Sequence, residues 1–169
     1  MMIAALLMVL SDLSGAETPR EFAQRFCDSE GAFGRGVPDA SFETRYDGLV
    51  GIEMIRYISA VNRTLARWRH RHRHSKENLM IPHIEANLFS GFSDGPTRFR
   101  VGQVTSVSGR TSVAVHREYE EGNAIDRWTD VLILDRDSTG WVVCDIETHH
   151  LGSLLSHLED FRKSVESYR

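Results

Sequence analysis

Seven side chains in the second half of the sequence either move protons or wall pockets: His116, Tyr119, Trp128, Asp130, Trp141, Asp145 and His149. They fall in stretches where apolar and polar residues alternate, the pattern of half-buried strands. A carboxyl group carried into an apolar pocket has its pKa raised, and it then transfers protons near neutral pH. Asp145 and Asp130 are the candidate catalytic acids, with His116 as third member and Tyr119 and His149 as hydrogen-bond partners. Trp128, Trp141, Tyr119 and Asp145 would line the ligand pocket. The same pattern has a structural reading, in which Asp130 and Asp145 pair with Arg across neighbouring strands. The spacing assembles no triad and no phosphate loop: GxGxxG, the P-loop, GxSxG and HExxH are all absent. No cofactor is implied.

A second group is basic. Arg69, His70, Arg71, His72, Arg73 and His74 run together at the end of a long apolar period. Basic residues at a helix C-terminus complement the macrodipole. They also form a patch for an anion or an acidic protein partner. His70 and His74 have the i, i+4 spacing of a metal pair. However, the interleaved Arg charges oppose a cation and no Cys or carboxylate lies at ligand spacing, so no metal is expected.

Cys27 and Cys144 are the two cysteines. They suit either a single bridge in an exported chain or two buried thiols packing as small hydrophobes. Export is expected from the N-terminus. The apolar run Ile3-Ala4-Ala5-Leu6-Leu7-Met8-Val9-Leu10 is followed by Ser14-Gly15-Ala16, small residues that suit a cleavage site. Residues 1–16 are therefore read as a signal peptide, 17–169 as one domain, and a Cys27–Cys144 disulfide is expected. The formal net charge of −4 gives no reason to expect nucleic-acid binding. No run approaches the roughly 20 apolar residues of a membrane span.

These groups need elements to place them. Thr18-Pro19-Arg20-Glu21 starts a helix with a capping box, and Phe22, Ala23, Phe26 and Cys27 form its apolar stripe. Residues 31–48, rich in Gly, read as a loop. Met54, Ile58, Val61, Leu65 and Trp68 then mark a long amphipathic helix from about residue 49 to the low seventies. After the turn Ser93-Asp94-Gly95-Pro96 comes a meander of four antiparallel strands. A bulge is expected near Gly102, and turns at Ser108-Gly109, Glu121-Gly122-Asn123 and Asp137-Ser138-Thr139-Gly140. Simple alternation in the last strand puts Trp141, Val143 and Asp145 on one face. Leu154, Leu158, Phe161, Val165 and Tyr168 form a C-terminal amphipathic helix. The fold class is α+β: N-terminal helices packed on a curved antiparallel four-stranded meander, a cone with a hollow, plus the C-terminal helix.

Three fragments go further: Pro82-x-Ile84-Glu85-x-Asn87-x-Phe89 with Ser93-Asp94-Gly95-Pro96, the Trp128-x-Asp130-Val131 strand, and Gly140-Trp141-Val142-Val143-Cys144-Asp145-Ile146. With the leading helices they resemble a group of exported bacterial proteins of unknown function in the nuclear-transport-factor-2-like superfamily. The resemblance covers roughly residues 18–150. It implies the cone-shaped fold and a periplasmic or secreted location, and a homodimer through the sheet face would be in keeping with it. Relatives often carry a second acid where this chain has Cys144. The superfamily includes enzymes, binding modules and toxin-immunity proteins, so it implies no single activity. The expected function is an exported non-catalytic binding module. It would hold a small apolar ligand in the cone or a protein partner, a toxin bound by its immunity protein among them. The alternative is a small-molecule lyase, isomerase or hydrolase using a carboxylate inside the cone.

Overall fold

The structure, a computed structural model, describes residues 16–30, 37, 46–74, 82–84, 87–92 and 94–167. The expected signal peptide up to residue 15, most of the expected loop 31–48, Glu85, Ser93 and Tyr168 lie outside the described residues. The chain is α+β, with three helices among the described residues and an open five-stranded antiparallel sheet in the order β1-β2-β3-β4-β5.

Helix α1 spans Pro19–Glu30. Its capping box forms as expected: Thr18 N donates to Glu21 Oε2 at 2.8 Å, and Glu21 N donates to Thr18 Oγ1 at 3.2 Å. Phe22, Ala23, Phe26 and Cys27 are buried, and so is Glu30 at the end of the same stripe. Helix α2 spans Ile52–His72 and buries Met54, Ile58, Val61, Leu65 and Trp68. It starts three residues later than its apolar period suggests, because Leu49, Val50 and Gly51 are used as a strand edge. Val50 bridges Val143 in parallel, Gly51 N donates to Val143 O at 2.8 Å, and Val143 N donates to Leu49 O at 2.9 Å.

Strands β1 (Arg98–Val107), β2 (Arg110–Glu121), β3 (Ala124–Arg136) and β4 (Trp141–Thr148) form the meander. A two-residue strand β5 (Gly152–Ser153) pairs with the end of β4. Ser108 and Gly109 close the first hairpin with positive φ of 51° and 80°, the conformation a two-residue turn needs to match strand twist. The register of β1 shifts between Val101 and Val104, the bulge expected at Gly102.

A second shift, in β4, was not legible from alternation. Leu134 pairs with Val143 while Ile133 pairs with Asp145, so Cys144 is the extra residue. A bulge reverses the facing of every residue after it. Val143 and Ile146 therefore both enter the core, and Asp145 leaves the face it would have shared with Val143. Helix α3 (Leu154–Ser167) follows and packs on α2, burying Leu154, Leu158 and Val165. The buried apolar residues of all three helices and four strands form one cluster. Among the described residues no helix is long and apolar enough to cross a membrane.

The expected disulfide is absent. Cys27 and Cys144 are both free thiols. Cys27 lies among Glu30, Arg117 and Asp130, whereas Cys144 lies near Arg110 and Asp135 and donates to Ile133 O at 3.2 Å. Arg110 and Arg117 are seven residues apart on β2, about 23 Å at the rise of a strand. A bridge needs Cα atoms within about 7 Å.

Candidate functional site

Two places concentrate chemistry: a buried ion network inside the fold and the basic end of α2. The network begins with alternation. Thr111, Val113, Val115 and Arg117 of β2 are buried in sequence, as are Trp128, Asp130, Leu132 and Leu134 of β3. The register Val115↔Asp130 and Arg117↔Trp128 sets Arg117 diagonal to Asp130 on the core face. From α1, Glu30 completes the group.

Arg117 has no exposed side-chain surface. Its terminal nitrogens bind Glu30 in a fork, at 2.5 Å to Oε2 and 2.9 Å to Oε1, and Nη2 reaches Phe89 O at 3.4 Å. Its Nε stands 2.6 Å from Asp130 Oδ2 without aiming the N–H at it, so this contact is an ion pair and not a directed hydrogen bond. Asp130 also accepts from Trp128 Nε1 at 3.2 Å and from the backbone N–H of His149 at 2.9 Å.

Burial dominates the electrostatics. It pushes both Glu30 and Asp130 above the usual carboxylate range, against the pull of Arg117. It would also lower the Arg117 guanidinium, but the carboxylates of Glu30 and Asp130 outweigh it and hold that group above its ordinary value. Two carboxyls and one guanidinium are neutral together only when one carboxyl keeps a proton. Cys27, beside them, is pushed far up by burial and by Glu30, which disfavours the thiolate form.

An aromatic cluster adjoins the network. Phe92 stacks on Trp128 with centroids 4.9 Å apart, and it meets Tyr119 at 4.9 Å and His150 at 5.7 Å. The structure thus brings together Trp128, Asp130 and Tyr119, with His149 contributing its main chain. It adds Glu30, Arg117, Phe92 and His150, which the sequence reading missed. The signals were present: Glu30 continues the α1 stripe at i+4 from Phe26, and Arg117 occupies an inward position after Val113 and Val115.

The other proposed site residues lie elsewhere. Asp145, turned by the β4 bulge, caps α3. Its Oδ1 accepts from Leu155 N at 3.1 Å and its Oδ2 from Ser153 Oγ at 2.7 Å. Trp141 sits opposite Arg136, eight residues along β3 from Trp128 (about 26 Å), and so shares no pocket with it. Its Nε1 donates to Glu17 O at 3.0 Å, and Arg136 covers its ring at 4.4 Å. His116 is on the opposite face of the sheet from Asp130, with Nδ1 2.9 Å from Thr129 Oγ1. The trio Asp145, Asp130 and His116 does not converge.

At the end of α2, Trp68 is buried and His72 stacks on it at 4.4 Å, with Nδ1 2.9 Å from Trp68 O. Arg73 is held by its neighbours: its Nε donates to His74 Nε2 at 3.0 Å, and Nη1 lies 3.4 Å from His70 Nδ1. A guanidinium N–H directed at His74 leaves that ring poorly placed for a cation. Among the described residues no group of three His, Cys, Asp or Glu is placed to hold a metal ion. His70 and Arg71 line a groove of about 620 Å³ between α2 and α3, with Thr64, Ala66, Arg67 and Glu166. Arg69 and Arg71 are exposed. Comparison with protein-family models, curated proteins and solved structures found no match for this chain.

Proposed function

We propose that this chain is an exported, non-catalytic binding module with the cone-shaped nuclear-transport-factor-2-like fold, and that it binds the acidic surface of a protein partner through the basic end of α2. One observation carries the reading. His70 and Arg71 of the basic run line a groove of about 620 Å³, whereas Phe26, Tyr46, Phe89 and the Glu30–Arg117–Asp130 network occupy space between helices and sheet. Among the described residues, this packing favours the partner over the small apolar ligand. It also weighs against a carboxylate catalyst, because the oxygens of Asp130 are already engaged by a backbone N–H, an indole N–H and a guanidinium. A toxin neutralised by this chain as its immunity protein is one partner of this kind.

The test is a pull-down with the mature protein from the periplasmic and secreted proteins of its own host, beside a variant with Arg69, Arg71 and Arg73 all changed to Gln. The expected result is a stoichiometric partner captured by the wild type, released by moderate salt and lost in the variant. A partner held equally by both proteins would move the interface elsewhere. A retained small molecule with no protein would return attention to the cone. Export predicts an N-terminus at Glu17 in the recovered protein, and an intact Met1 would refute it.

A further inference from the structure

The sheet has a second face, turned away from the core, and the first three strands arrange charge on it in two adjacent cross-strand rows. In one row Glu118 of β2 lies between Arg98 of β1 and Arg127 of β3. Its carboxylate reaches both, at 3.8 Å from Arg98 and 2.8 Å from Arg127. Two residues along, Arg100 stands opposite His116, and His116 stands opposite Thr129. That row contains no acid. Arg100 is exposed, and among the described residues its side chain has neither a hydrogen bond nor an ion pair.

The acid-free row is held in place from two sides. His116 Nδ1 is 2.9 Å from Thr129 Oγ1. Its Nε2 lies over Gly102, where a Cβ would come within 2.6 Å, so the ring keeps this position only against a glycine. The bulge that puts Gly102 there is clamped by Arg20 of α1, which donates to the carbonyls of Val101 and Gly102 at 2.8 Å each. Around the two rows lies a cleft of about 540 Å³; Phe99, Arg117 and Trp128 also contribute to its wall, but their row belongs to the core face. Besides the core-facing Arg117, three arginines (Arg98, Arg100 and Arg127) and one glutamate line it, in a chain whose net charge is −4. Arg98 is shared with Glu120 at 3.3 Å, so the unmatched charge sits at Arg100.

We propose that this cleft binds a small organic oxyanion, a carboxylate or a phosphate monoester. The anion takes in the Arg100 row the place that Glu118 takes in the next. The guanidinium of Arg100 presents two parallel N–H groups, the geometry that carboxylate and phosphate oxygens accept. With His116 Nδ1 donating to Thr129, the Thr129 hydroxyl proton is free for a third bond to the ligand. This site is separate from the end of α2, so its failure would leave the partner-binding reading standing.

The experiment is a calorimetric titration of the mature protein at low salt with benzoate and, separately, with phenyl phosphate. Arg100→Gln and Thr129→Val are compared with Arg56→Gln, a change to an exposed arginine of α2 outside the cleft. Arg100 has no partner to lose, so its variant keeps the fold, which circular dichroism checks. The expected result is saturable one-to-one binding of at least one of the two probes. Binding weakens by about tenfold or more in Arg100→Gln, less in Thr129→Val, and is unchanged in Arg56→Gln. The tighter probe identifies the acid group. No saturation by either probe at millimolar concentration, or an Arg100→Gln variant that binds like the wild type, would overturn the proposal.

Discussion

Arg117 and Glu118 are consecutive residues of β2, and each is flanked by two groups of opposite charge. Arg117 points into the core and meets Glu30 and Asp130. Glu118 points out and meets Arg98 and Arg127. The two trios are charge inverses of each other, separated by the thickness of one strand. Their energetics differ because their surroundings do. Inside, removing one partner leaves a buried charge that neither water nor salt can screen. Outside, water competes for every group, and the pairs add little.

The largest expected effect follows from removing the buried cation. Arg117→Met leaves two carboxyls without a partner and should lower stability by about 3–5 kcal/mol at neutral pH. Urea denaturation measures this, and the deficit should shrink near pH 4 (roughly the ordinary carboxylate pKa), where both acids take up protons. A loss below about 1 kcal/mol would erase the contrast between the two faces of β2.

The next effect is a pH slope. Burial raises the folded-state pKa of Glu30 and of Asp130. The folded protein therefore keeps protons that the unfolded chain releases. The contribution to stability is complete below the unfolded carboxylate pKa of about 4, and it is lost as pH rises through the raised folded values. Half-buried carboxyls such as Glu17 and Glu159, lowered by Arg25 and Arg162, work in the opposite direction. The informative quantity is thus the difference between wild type and Glu30→Gln, which keeps the shape and drops the excess negative charge. That variant should gain stability relative to the wild type as pH rises from about 4 to 8. Parallel curves for the two proteins would show that Glu30 titrates normally.

The smallest effect belongs to the outer trio. Glu118→Gln should cost less than about 1 kcal/mol, and in about 1 M salt nothing measurable should remain. A cost equal to that of Arg117→Met would mean that the outer face is covered in solution.

Much of the fold was legible. The capping box of α1, the apolar stripes of all three helices, the turns of the meander and the bulge at Gly102 all rest on residues a few positions apart. The pairing of Asp130 with an arginine was also within reach. The candidate site was read less well. Asp145 and Trp141 were placed beside Trp128 because strict alternation and strand adjacency were carried through β4. A single extra residue at Cys144 turned Asp145 toward the start of α3, and the length of β3 separated the two tryptophans. The expected disulfide failed for the same reason, since each cysteine was assigned to a layer without a position along it.

The sequence by itself determined the three helices, the four strands of the meander with their turns, and that Arg69 to His74 form a basic helix end. Those properties depend on local spacing and capping. Only the tertiary structure decided that Glu30 is buried, that Arg117 stands between two acids, and that Arg100 faces a row without one. Each of these depends on strand register and on which helix lies over which strand. A one-residue shift in either exchanges a buried charge for a solvated one.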